Sequence, residues 1–90
     1  MKELTSFQRK CESELLSVLK KKNLNLDNRR LDGRNETYIY GQVKGLEIWI
    51  YGDGAEITSR TVDKRFEKPD FKSEDELIDA FTGELETLVS

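Results

Sequence analysis

Apolar positions recur every three or four residues near both ends of this chain and every second residue in its middle. Leu4, Phe7, Cys11, Leu15, Val18 and Leu19 form one stripe, which predicts an amphipathic helix over 3–22. Thr5 with Gln8, or Ser6 beside it, supplies a capping oxygen at its start. Lys20, Lys21 and Lys22 sit at its end, where cations meet the negative end of the helix dipole, and Asn23 permits the exit. Leu77, Ile78, Phe81, Leu85, Leu88 and Val89 form a second stripe. Ser73-Glu74-Asp75-Glu76 opens it as a capping box, with Phe71 as a hydrophobic staple.

Between the helices, side chains alternate across two strands, 36–43 and 46–51, joined by Lys44-Gly45. Ile39, Val43, Leu46, Ile48 and Ile50 share one face. Tyr38, Tyr40, Gln42, Glu47, Trp49 and Tyr51 share the other. A third strand follows Gly52-Asp53-Gly54, where Asp53-Gly54 is expected to be the two-residue hairpin loop. That register brings Ile57 to Ile50, Thr58 to Trp49 and Arg60 to Glu47, with the last pair an opposite-charge contact on the outer face. Residues 23–37 carry scattered leucines and an Asp32-Gly33 turn signal. They read as a loop, with a short edge strand at 24–26 as the alternative. Residues 63–71 read as a charged connector.

The expected fold is α+β, a two-layer sandwich ordered helix, three-stranded antiparallel meander, helix. Both helices cover the aliphatic sheet face because two amphipathic helices need a shared apolar partner. The competing picture buries the aromatic face, or covers both faces by dimerisation.

Ninety residues suit a single small domain, 1–90. No apolar stretch approaches bilayer length, and 1–10 is charged, so the expectation is a cytoplasmic protein without membrane association. One cysteine, Cys11, excludes an internal disulfide. The net charge is −3, unevenly spread: residues 1–45 carry ten Lys/Arg against six Asp/Glu, and 46–90 carry five against twelve. Such asymmetry marks either an acidic face that steers a basic partner or the ordinary solubilising surface of a small domain.

Catalytic chemistry is sparse. Without histidine the chain lacks the commonest general base and metal ligand. Cys11 lies on the apolar helix stripe, a packing position, and no zinc cluster can be assembled. Glu74, Asp75, Glu76 and Asp79 read as a solvated helix start. In 27–33, arginine and leucine stand where a calcium loop needs oxygen ligands. No cofactor or metal is expected, and a carboxylate-based enzyme has no nameable site.

Every tyrosine and the single tryptophan fall within 38–51. Tyr38, Tyr40, Trp49 and Tyr51, with Glu47 and Arg60 at the rim, are the candidate protein-binding residues, because aromatic and arginine side chains dominate interface energetics. The plain alternative is that the rings pair across strands for stability alone. The leading expectation is a non-enzymatic protein-binding module (inhibitor-, antitoxin- or adaptor-like) or a homodimer. The other is a nucleic-acid-binding module using Lys20, Lys21, Lys22, Arg29, Arg30 and Arg34 with the same rings. The expected order of elements is similar to that of the double-stranded-RNA-binding domain. That family opens its last helix with glycine and lysine for phosphates, whereas Lys72-Ser73-Glu74-Asp75-Glu76 stands here, so the function does not carry over.

Overall fold

A computed structural model describes residues 2–90. Its first helix, α1, spans Ser6–Lys21, begun by a capping box in which Thr5 and Gln8 satisfy each other's backbone N–H groups. Asn23 takes a left-handed conformation (φ 57°) just past its end, as an asparagine tolerates there. The last helix, α2, spans Glu74–Leu88, and its N-cap Ser73 accepts a hydrogen bond from the Glu76 N–H.

Five strands lie between them, not three: β1 (Asp27–Asp32), β2 (Tyr38–Val43), β3 (Leu46–Tyr51), β4 (Gly54–Thr58) and β5 (Asp63–Glu67). They form one antiparallel meander in chain order. β1 and β5 occupy stretches expected to be a loop and a connector. With them present, the likeness in element order to the double-stranded-RNA-binding domain falls away. A 3₁₀ turn at Lys68–Asp70 leads from β5 toward α2.

The β2–β3 pairing is Ile39–Ile50, Tyr40–Trp49, Gly41–Ile48, Gln42–Glu47 and Val43–Leu46, the register that a Lys44-Gly45 loop dictates. Both loop residues have positive φ (50° and 77°), the geometry that matches the twist of the strands it joins. The next hairpin corrects the expected register by two residues. Gly52-Asp53 is the loop, Tyr51 pairs with Gly54, and Trp49 therefore meets Glu56, Ile50 meets Ala55 and Glu47 meets Thr58. Gly54 is needed as a strand residue. A Cβ placed on it would lie 2.4 Å from the Phe66 carbonyl oxygen of β5, so only glycine lets that strand approach.

A shift of two preserves the faces. Ile39, Val43, Leu46, Ile48, Ile50, Ala55 and Ile57 form a single core cluster with Phe7, Cys11, Leu15 and Leu19 of α1 and Leu77, Ile78, Phe81 and Leu85 of α2. Both helices therefore pack on the aliphatic face. β1 contains a bulge between Asp27 and Arg30, with Asn28 left-handed (φ 53°). Just before it, Leu26 occupies the space over Gly41, 2.4 Å from where a Cβ would stand. Among the described residues, no helix is long and apolar enough to cross a membrane.

Candidate functional site

Strand pairing carries the outer face across all five strands, and its central row reads Arg30, Tyr40, Trp49, Glu56, Arg65. On one side of that row lie Asp32, Tyr38, Tyr51 and Glu67. On the other lie Asp27, Gln42, Glu47, Thr58 and Asp63.

The rings form one contiguous cluster. Tyr40 and Trp49 have centroids 4.4 Å apart, tilted by 59°. Tyr38 lies 5.6 Å from Trp49 and 5.3 Å from Tyr51. Trp49 and Tyr51 are nearly parallel at 6.4 Å. These are the offset and tilted arrangements that aromatic quadrupoles favour. The Arg30 guanidinium sits over the other side of Tyr40, 3.9 Å from the ring centroid, a cation–π contact. Tyr40 is consequently only 3% exposed, although it lies on the outer face. Tyr38, Trp49 and Tyr51 are half-buried. Those three rings and Arg30 form the accessible part of the cluster, with Tyr40 beneath them.

Polar side chains lock the cluster in place. Asn28 Nδ2 donates to Gln42 Oε1 (2.6 Å), Gln42 Nε2 donates to the Tyr40 hydroxyl (2.6 Å), and that hydroxyl donates to Glu47 Oε2 (2.6 Å). The bond to the Glu47 carboxylate holds the Tyr40 phenol above its ordinary pKa. On the other side the Tyr51 hydroxyl donates to Glu56 Oε1 at 3.0 Å, and Arg65 Nε lies 3.3 Å from Glu56 Oε2. Burial, then the Glu56 bond, push the Tyr51 phenol up to about 12. Both hydroxyls stay protonated at neutral pH and donate hydrogen bonds.

Glu47 thus joins the rings, but through Tyr40. Arg60 does not pair with it. β4 ends at Thr58, which takes the place opposite Glu47, and Arg60 is exposed in the connection to β5. The cations of this face are Arg30 and Arg65; their place beside the rings depends on β1 and β5, the two strands the sequence reading lacks. Arg30 had a legible signal: it lies two residues from Asp32, on the alternation that continues the outer face into β1.

The remaining chemistry stays apart from this face. Cys11 is fully buried in the core, and desolvation raises its thiol pKa to about 12, which makes it an inert packing group. Among the described residues no three His, Cys, Asp or Glu side chains converge to hold a metal ion. Arg29 turns toward the helical layer, where its Nε and Nη2 grip both oxygens of Glu12 at 2.9 and 3.0 Å. No family model, curated protein or solved structure matches the chain.

Proposed function

We propose that this chain is a non-enzymatic cytoplasmic module that binds a protein partner, or a second copy of itself, through the outer face of its sheet. The observation that carries this reading is the ring cluster itself. Three half-buried aromatic rings, buttressed by Tyr40 and Arg30, lie on the sheet face opposite both helices. Rigid aromatic area with polar handles gives large contact at small entropic cost, the property shared by residues that dominate protein interfaces. Trp49 and Tyr51 are the anchors, Tyr38 widens the contact, and Tyr40 and Glu47 fix the orientation of the indole. A single, unpaired, buried cysteine is in keeping with a reducing compartment.

The nucleic-acid reading has less support. Of the basic residues it would use, Arg29 is engaged by Glu12, and only Arg30 reaches the ring face. Carboxylates outnumber guanidiniums on that face, which opposes a phosphate backbone.

Trp49→Ala tests the proposal. Capture of partners from source-cell extract, with sedimentation to register self-association, is expected to show association weakened by about 2–4 kcal/mol, with the far-UV spectrum and cooperative unfolding retained. Undiminished association, or a variant that no longer folds, would remove the reading.

A further inference from the structure

Gly54 stands between Tyr51 and Glu67 in its row of the outer face. An open hollow of about 310 Å³ lies beside it, lined among others by Tyr51, Asp53, Glu56, Arg65 and Glu67. Its charge is lopsided, with three carboxylates against one guanidinium. Arg65 is 66% exposed on its side chain and meets Glu56 at 3.3 Å, an arrangement of small energetic worth at a surface. The imbalance extends over the whole face. Asp27, Asp32, Glu47, Glu56, Asp63 and Glu67 face outward against Arg30 and Arg65 alone.

We propose that the partner presents a basic segment to this face, and that one lysine or arginine side chain of that segment enters the hollow beside Tyr51. The inference rests on the reading of the ring cluster as a protein-binding surface and names the chemistry of what it binds. The Tyr51 ring wall offers its negative π-face to a cation, and Glu56 and Glu67 offer charge-assisted hydrogen bonds. The flanking carboxylates steer the approach and set the register of the basic segment across the rings. A second copy of this chain is the wrong occupant, because facing copies would bring like-charged rims together. A phosphate backbone is repelled on the same grounds.

The test uses the intact ¹⁵N-labelled protein, a lysine/arginine decapeptide as probe and a glutamate decapeptide as control. Addition of the basic peptide is expected to shift the Tyr51, Gly54 and Glu56 amides and the Trp49 indole N–H, with affinity falling as salt rises. The glutamate peptide is expected to shift none of them. The double variant Glu56→Gln/Glu67→Gln should bind about tenfold more weakly, as loss of charge-assisted hydrogen bonds implies. Asp79→Asn/Glu86→Gln on α2 should change affinity by less than about twofold, since exposed charges on the helical layer act weakly on the far sheet face. Shifts confined to α2, an unchanged affinity in the Glu56→Gln/Glu67→Gln protein, or concentration-dependent shifts of the same residues without peptide would each overturn the proposal. Capture of the natural partner separates the two readings. If it survives Glu56→Gln/Glu67→Gln but not Trp49→Ala, the surface stands and its basic partner does not. If it survives both, the surface falls as well.

Discussion

Gln8 is 1% exposed, and its amide is bonded at both ends. Its Oε1 accepts from the Thr5 N–H at 2.8 Å, and its Nε2 donates to the carbonyls of Thr37 (2.6 Å) and Ile50 (3.3 Å). One side chain thus closes the cap of α1 and ties it to the start of β2 and the end of β3. A buried polar group without partners costs more than a made hydrogen bond returns. Gln8→Leu, similar in volume, removes the side-chain half of the capping box, leaving the Thr5 N–H without its acceptor, and takes the amide donor from the Thr37 and Ile50 carbonyls. It is expected to destabilise the domain by about 2–3 kcal/mol, read as a lower urea midpoint at unchanged m-value. Arg30 shows the same economy on the opposite face. Its guanidinium covers Tyr40 while its Nε meets Asp32 Oδ2 at 3.5 Å, so one residue both seals a ring and borders the proposed contact.

At the scale of elements, what is legible in the sequence depends on whether a segment buries a whole face or at most one residue. α1, α2, β2 and β3 each bury a periodic set, and their periodicities announced them. β1 (DNRRLD) and β5 (DKRFE) are the edges of the sheet. Of their apolar residues Phe66 packs against the core while Leu31 stays exposed, and no alternation survives in their charges. Charged edge strands resist pairing with other chains, so the composition that hid them also protects them. The turn falls at Gly52-Asp53 rather than Asp53-Gly54 for a related reason: the close approach that makes Gly54 a strand residue comes from a strand that its charges conceal. The ring cluster followed from β2 and β3 alone, whereas its flanking cations needed the edges. α2 carries a correctable weakness at Gly83, which lies in the helix interior with open space where a Cβ would be. Gly83→Ala is expected to stabilise the protein by about 0.5–1 kcal/mol through helix propensity and a less flexible unfolded chain, measurable as a raised thermal midpoint.

Across the molecule, the carboxylates of the acidic 46–90 half are partly neutralised by ion pairs, one of them reaching across to the 1–45 half. α2 carries six carboxylates and no cation of its own. Lys10 of α1 meets Asp75, Lys68 meets Glu74 at 2.8 Å, and Lys64 of β5 meets Glu84 at 3.7 Å. These pairs are exposed, and each contributes little alone, but together they leave the ring face with the less compensated negative charge. The fold also sets an alkaline limit. Cys11 and Tyr51 have ordinary values of 9.0 and 10.0, each raised to about 12, and Tyr40 shifts the same way. The folded state therefore holds protons that the unfolded chain releases. The stability these groups contribute is complete below pH 9 and is lost as pH rises toward about 12. Urea midpoints should stay level from pH 7 to 9 in this respect and decline between pH 9 and 11.

The packing of every tyrosine around the one tryptophan has an optical consequence. Each phenol lies close to the indole, with Tyr40 at 4.4 Å, Tyr38 at 5.6 Å and Tyr51 at 6.4 Å. At such separations light absorbed by a phenol passes to the indole before it can be re-emitted. The native protein should fluoresce as though it contained tryptophan alone. Emission from the Tyr38 and Tyr40 phenols would appear only when β2 and β3 part, a built-in signal for the integrity of the strands that hold the rings.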